Sequence, residues 1–287
     1  MNHFRKLWQL CLCAGVLGCT EKEQAAPLQA IASTSAPEYR LVAPDITEAS
    51  GIADSKANPG HLWVQEDSGN PTQLYLLSHS GDRAKAVFLK GAANRDWEDI
   101  ALSGNDLYLA DIGDNTKAHE LNTIYKFAEP DATTDTVQVQ AVLRFRYPDG
   151  AHDAEAFLVD RSSGHLLLIT KGDRPSRMYR VAPAFGQKPV TAEFLGELPY
   201  NGVVSAAQSE DGKSLVLKTY THLYFYRRGA DETIAEVLQQ KALELPYVVE
   251  PQGEAVCFTN SGNGYFTLSE KSFAEEVLLH FYKLQAD

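Results

Sequence analysis

The sequence predicts an all-β fold: a five-bladed β-propeller with four strands per blade, its ring closed by an N-terminal strand. Three observations predict it. A short pattern opening a strand-like apolar run appears at Ser50-Gly51-Ile52, Glu98-Asp99-Ile100, Glu155-Ala156-Phe157, Ser205-Ala206-Ala207 and Glu254-Ala255-Val256. The copies lie about 50 residues apart, the period of a propeller blade. A second set places Tyr between apolar residues, at Leu74-Tyr75-Leu76, Ile124-Tyr125-Lys126, Met178-Tyr179-Arg180, Leu223-Tyr224-Phe225 and Phe281-Tyr282-Lys283. Finally, the last unit ends after three strands, whereas residues 39–46 form a strand with no neighbour in sequence. The two chain ends can therefore build one blade together and close the ring. A sixth blade has no repeat to supply it, and a β-sandwich accounts for the strands but not the period.

Residues 1–18 read as a targeting segment. Arg5 and Lys6 form its charged start, and residues 7–17 are a mostly apolar run too short to span a bilayer. The run ends in Val16-Leu17-Gly18-Cys19, which resembles the lipobox of bacterial lipoproteins. That resemblance implies that Cys19 is lipidated and becomes the mature N-terminus. Thr20, where sorting in enterobacterial lipoproteins would read Asp for the inner membrane, implies the outer membrane, facing the periplasm. The alternative is an ordinary signal peptide that contains a cysteine. Residues 19–38, rich in Ala, Gln, Ser, Thr and Pro, read as a flexible tether, and residues 39–287 as the propeller.

Cys11 and Cys13 leave with the signal and Cys19 carries the lipid, so Cys257 has no disulfide partner. It lies in an apolar strand and reads as a buried small hydrophobe. The formal net charge is −12. Such a surface repels nucleic acid polymers and anionic lipid heads and attracts cations.

Within each unit the first strand carries the repeated pattern. The second is a longer apolar run, for example Leu107-Tyr108-Leu109-Ala110 or Leu166-Leu167-Leu168-Ile169, as suits a strand covered on both faces. The third carries the Tyr. Fourth strands are expected at residues 86–89, 138–147, 191–198 and 237–245, with Gly, Asp, Asn and Pro clusters as turns.

Innermost strands converge on a propeller's axis. Side chains alternate along a strand, so Ser50, Glu98, Glu155, Ser205 and Glu254 are expected to face the axis at one level. Residues two earlier (Glu48, Asp96, Asp153, Val203, Gln252) and two later (Ile52, Ile100, Phe157, Ala207, Val256) share that face. The channel is therefore expected to be acidic at its upper mouth and plugged below. Three carboxylates at one level cannot all stay ionised alone: either a cation joins them or their pKa values rise. Carboxylate, hydroxyl and water are hard oxygen ligands, and five plus water reach the six to eight that Ca2+ takes. The alternative is a water-filled channel with an acidic lining.

The order Ser, Glu, Glu, Ser, Glu, one per blade, resembles the calcium-activated soluble apyrases. The resemblance implies a central Ca2+ held by Ser50, Glu98, Glu155, Ser205 and Glu254, and hydrolysis of nucleoside diphosphates. It covers fold and blade count over most of residues 39–287. The segments Asp96-Trp97-Glu98-Asp99-Ile100-Ala101 and Asp111-Ile112-Gly113-Asp114-Asn115 are similar to a group of bacterial propeller lipoproteins.

First and second strands of a blade run antiparallel, so the ends of the second strands share the mouth with the ring. Asp67, Asp111, Lys171, Lys218 and Tyr220 lie there and are candidates to bind a substrate, with the lysines taking a phosphate ester or another anion. The alternative is solvated turn residues. No phosphate-binding Gly loop, His-Glu-x-x-His, Cys-x-x-Cys or Gly-x-Ser-x-Gly is present. His152 and His222, near the mouth, read as structural, and Trp97 as packing between blades. Three functions follow. The first is a membrane-anchored Ca2+-binding propeller that serves as an envelope interaction module for an anionic small molecule or an envelope protein. The second is a Ca2+-dependent phosphohydrolase, apyrase-like or phytase-like. The third is a glycan-acting propeller using paired acids such as Asp67 and Asp111.

If Cys19 carries the lipid, Cys19→Ser leaves an unlipidated protein that fractionates as a soluble or unprocessed species; unchanged lipid labelling of that variant excludes the assignment.

Overall fold

A computed structural model of the chain describes residues 36–271 and 276–284. The expected targeting segment, Cys19 and most of the expected tether lie outside these residues. The chain enters as β1 (Glu38–Leu41) and then forms a first blade from β2 (Ala49–Asp54), β3 (His61–Glu66), β4 (Gln73–Ser78) and β5 (Arg83–Lys90). The second blade is β6 (Trp97–Ser103), β7 (Asp106–Asp111), β8 (Asn122–Ala128) and, after the short β9 (Thr136–Gln138), β10 (Ala141–Arg146). The third is β11 (Ala154–Val159), β12 (Leu166–Thr170), β13 (Arg177–Val181) and, after β14 (Val190–Thr191), β15 (Glu193–Glu197). The fourth is β16 (Val203–Gln208), β17 (Ser214–Thr219), β18 (Leu223–Arg227) and, after the helix α1 (Ile234–Leu238), β19 (Leu243–Leu245). The fifth is β20 (Gly253–Phe258), β21 (Gly264–Ser269), β22 (Leu278–Lys283) and the returning β1.

The fold is thus all-β with five blades. β1 lies antiparallel to β22, with Tyr39 opposite His280, so the orphan strand closes the last blade as the sequence predicts. The inner strands β2, β6, β11, β16 and β20 touch one another in a complete cycle. Each interface between neighbouring blades holds its own apolar core. Leu62, Leu77 and Phe266 share the core that spans the seam between the first and last blades. Trp63, Trp97 and Phe127 fill the one between blades one and two, so Trp97 does the packing expected of it. Cys257 is buried, and burial raises its thiol well above the ordinary range, as suits an inert core residue.

The outer strands differ from expectation. Residues 138–147 do not form one strand. β9 crosses back to lie parallel to β5 of the preceding blade, with Thr136 opposite Phe88, and only β10 joins its own blade. β14 likewise extends blade two, with Val190 opposite Phe145. These two straps cover outer edges that would otherwise be open. The span expected at residues 237–245 begins instead as α1. Thr233 caps it, its hydroxyl accepting from the Glu236 N–H while the Glu236 carboxylate accepts from Thr233 N–H, a capping box that the sequence Thr233-x-x-Glu236 carries.

One side chain crosses the axis. Asp99 of β6 is fully buried, and its Oδ1 accepts from Ile100 N–H at 2.9 Å. Its Oδ2 accepts from Phe157 N–H of blade three at 3.1 Å, and from Ser205 Oγ and Ala206 N–H of blade four at 3.3 and 3.4 Å. Burial raises its pKa, and these donors oppose that rise. Below it, Ile52, Ile100, Ala207 and Val256 line an axial cavity of about 50 Å³, the plug expected from the alternation. Phe157 is not part of this lining and packs into the core between blades two and three, as Ile52, Ile100 and Val256 also pack into the cores at their own seams.

Asp99→Ala leaves three backbone donors, the N–H groups of Ile100, Phe157 and Ala206, without their carboxylate partner. Each costs about 1–3 kcal/mol, and a domain this size loses about 2–4 °C of Tm per kcal/mol. A fall of roughly 5–15 °C is expected in thermal unfolding, and Ser205→Ala, which removes one neutral donor, should cost far less.

Candidate metal centre

Each inner strand carries a β-bulge at its upper end. Ala49, Trp97, Ala154, Val203 and Gly253 pair with the last residues of the second strands. The next paired residues are Gly51, Asp99, Ala156, Ser205 and Ala255, so the residue between them is left out of the ladder. A bulge re-aims the side chain of its extra residue. In four blades that residue is Ser50, Glu98, Glu155 or Glu254. In blade four it is Val204, and Ser205 sits one position further on, in register with Asp99. Ser205 therefore bonds to Asp99 within the axis and stands apart from the other four.

Glu98, Asp153 and Glu155, all buried, each offer a carboxylate oxygen within 4.8 Å of the other two. Asp153 was expected on the same face but one step before the ring. Its position is fixed by the backbone: Asp114 N–H donates to its Oδ1 at 3.0 Å, and Lys171 N–H donates to its carbonyl at 3.0 Å. Ser50 Oγ donates to the Glu98 carbonyl at 2.8 Å and lies 3.3 Å from Glu98 Oε2. Glu254 faces the other side of the mouth, where Tyr220 donates its phenolic proton to Glu254 Oε1 at 2.5 Å.

Gly113 makes room for this cluster. A Cβ there would lie 2.0 Å from Glu98 Oε1 and 2.4 Å from Asp96 Oδ2. Any side chain at position 113 would push these carboxylates apart. Glu155 Oε2 is buried without a hydrogen-bond partner, although its residue is only 2% exposed. An ionised oxygen left so is costly unless a cation faces it.

The mouth is electrostatically strained. Burial first, then the charges of Asp96 and Glu254, push Glu98 well above its ordinary range, while Lys171 pulls it down. Asp67 is raised to about 7 by burial and by Glu48, Asp96 and Glu254. Glu270 is raised to about 8 by burial and by Glu254. Burial also raises Asp96.

The other predicted site residues are placed as follows. Asp67 and Tyr220 line the acidic mouth, half-buried. Asp111 is buried, and its Oδ1 accepts from Asp96 N–H at 2.9 Å with Arg95 Nε 3.9 Å away, so it holds the turn in place. Lys171 forms an ion pair with Glu155. Lys218 does not reach the mouth as an open cation. It is fully buried between blades four and five, donating to Tyr247 Oη and to Glu250 Oε2 at 3.4 Å. Glu250 is also held by Thr267 Oγ1 at 2.5 Å and by His280 Nδ1 at 2.7 Å. Burial lowers Lys218 to about 8. His152 is structural as expected, its two ring nitrogens 2.6 and 3.1 Å from Asp173 and Asp149.

No protein-family model matches the chain, and no curated protein matches it. Among solved structures, the chain is similar to the RRP9 WD40 repeats at 11% identity, covering 90% of this chain and 99% of that one with a TM-score of 0.46. It is similar to an auxiliary nutrient binding protein from Bacteroides thetaiotaomicron at 7% identity, covering 83% and 70% with a TM-score of 0.48. Against the Kuenenia stuttgartiensis hydrazine synthase the identity is 10%, with 83% and 72% covered and a TM-score of 0.44.

The strained mouth has a pH signature. The folded pKa of Asp67 lies above its ordinary 3.8, so between about pH 4 and 7 the folded chain holds a proton that the unfolded chain has released. Stability present below that window is lost as pH rises through it. In chelator-treated protein, Asp67 should contribute a fall in Tm between about pH 4 and 7, and Asp67→Asn, which mimics the protonated acid, should flatten the slope there.

Proposed function

We propose that the chain is a Ca2+-binding β-propeller, held by a lipid on Cys19 in a bacterial envelope membrane, that serves as a binding and interaction module. The cation would sit at the axial mouth on Glu98, Asp153 and Glu155. The observation that carries this reading is their mutual spacing together with the unpartnered Glu155 Oε2. Ca2+ bonds oxygen at 2.3–2.6 Å, so ligand oxygens no more than about 5 Å apart can share one ion. Three carboxylates, with water filling the remaining positions, form a hard-oxygen set that suits Ca2+ and not zinc or copper. Ser50 supports Glu98, and Glu254 adds charge from across the mouth. Ser205, in register with Asp99, falls outside this ligand set.

Binding is favoured over turnover by where the candidate substrate groups lie. The phosphohydrolase reading needs Lys171 and Lys218 open to an anion, and both are paired with carboxylates. The glycan reading needs Asp67 and Asp111 as a working pair, and Asp111 is engaged by backbone and Arg95. The anchor also bears on orientation. β1 begins at Glu38, beside Asp54 and Asn260 at the end of the inner strands away from the acidic mouth. A tether reaching a membrane from there would present the mouth to the periplasm.

A ligand that binds only the folded state stabilises it by about 2.7 kcal/mol at a hundredfold excess over Kd, roughly 5–10 °C for a domain this size. Ca2+ added to chelator-stripped protein should raise Tm by that order. Glu98→Gln, Glu155→Gln and Asp153→Asn should each remove most of the rise, whereas Ser205→Ala should leave it intact. A wild-type Tm that is the same in chelator and in millimolar Ca2+ would overturn the reading.

A further inference from the structure

The carboxylate cluster already has a cation beside it. Lys171 follows β12, and its ammonium is ion-paired to Glu155 Oε1, one member of the three-carboxylate cluster. The pair is nearly closed off: the Glu155 side chain is 3% exposed and that of Lys171 21%. The lysine is held there through its backbone, since its N–H and that of Gly172 both donate to the Asp153 carbonyl. Gly172 leaves space beside Asp153, where a Cβ would come within 3.1 Å. The charge of Lys171 also acts on Glu98 and Asp96. One tethered ammonium thus serves the same carboxylates that a metal would use. It does not satisfy them, because one ammonium serves Glu98, Asp153 and Glu155, Asp96 is shared with Arg95, and Glu155 Oε2 still has no partner.

We propose that Lys171 is a built-in competitor for the cation site: it occupies the seat when no metal is bound, and a divalent cation enters by displacing its ammonium from Glu155. This rests on the Ca2+ reading and specifies how that site is regulated. Lys171 has a flexible four-carbon stem and a strongly hydrated head, so it can leave Glu155 for solvent at little cost. The ammonium offers donors to the carboxylates but no more than a single charge. A divalent ion supplies two charges and several bonds from one point, so it wins once its concentration is high enough. The lysine then sets the threshold: the protein holds Ca2+ more weakly than its carboxylates alone would. The metal-free mouth is correspondingly protected from the repulsion of three bare acids. Lys171 is here a positioning residue, neither a ligand to the metal nor a hook for an anion.

The test is calorimetric titration of Ca2+ into chelator-stripped full-length protein, wild type against Lys171→Met and Lys171→Gln. Removing the competitor should tighten Ca2+ binding on the order of tenfold, equivalent to about 1.4 kcal/mol. Both variants should be less stable than wild type in chelator and should gain more Tm from Ca2+ than wild type does. A second readout needs no variant: amine-directed labelling of Lys171, followed by mass spectrometry, should rise when Ca2+ is added to wild type. If wild type binds Ca2+ but the variants bind it equally or more weakly, or if labelling of Lys171 does not rise, the competitor role is overturned while the metal site stands. Tighter phosphate binding by wild type than by the variants, with Ca2+ affinity unchanged, would also overturn it and make Lys171 an anion-binding group. If neither wild type nor variants bind Ca2+, the metal reading itself fails and takes this inference with it.

Discussion

Four hydrogen bonds converge on the carboxylate of Asp99, and the geometry of the axis follows from them. The side chain leaves blade two, takes a backbone N–H from blade three, and takes a hydroxyl and a second N–H from blade four. Inner strands of a propeller are short and splayed, and their upper ends leave backbone donors pointing into a narrow channel. A buried N–H without a partner costs as much as a lost hydrogen bond or more. Asp99 satisfies donors on two blades with one side chain and holds those blades at a fixed distance. It also divides the channel, with an acidic mouth above it and an apolar plug below.

The mouth is built by a local irregularity repeated around the ring. Just above Asp99 each inner strand carries one extra residue, and the bulge swings that residue out of the ladder. Where the residue is Glu98 or Glu155, a carboxylate is driven toward the axis and meets Asp153 from the loop before β11. Gly113 permits the approach by having no side chain at the point where Glu98 and Asp96 pass. Burial and neighbouring acids push Glu98, Asp67 and Glu270 above their ordinary ranges, while the charge of Lys171 pulls Glu98 down.

A second buried ionic group serves a different end. Lys218, Glu250, Tyr247, Thr267 and His280 join blade four to blade five. Here charges are matched and nearly every group has a partner, in contrast with the mouth, where negative charge is in excess. Fully satisfied buried networks rigidify and specify one arrangement, whereas an unpaired buried polar group is costly. The contrast between the two clusters separates structural ionic groups from the candidate site.

The sequence by itself determined the number of blades, the closure of the ring by the N-terminal strand, and the polar-to-apolar gradient down the axis. These properties are periodic, and periodicity is written in residue order. It also carried, unread, the capping box at Thr233 and Glu236 that turns the start of the fourth outer strand into a helix. Only the tertiary structure decided which oxygens meet. Ser205 shares the pattern of Ser50, but blade four places its bulge at Val204, one residue earlier, and a shift of one residue sends a strand's side chains to the other face. Asp153 joins Glu98 and Glu155 because a neighbouring blade's loop fixes its backbone, a contact between residues distant in the repeat. Lys171 and Lys218 both fall near the ends of second strands, but Lys171 follows Thr170 and is level with Tyr220, whereas Lys218 precedes Thr219 and is level with Ile169, so one lies at the mouth and the other inside a seam. Which level a side chain reaches is set by the pairing of its strand with the bulged inner strand, and that register is a property of the folded blade.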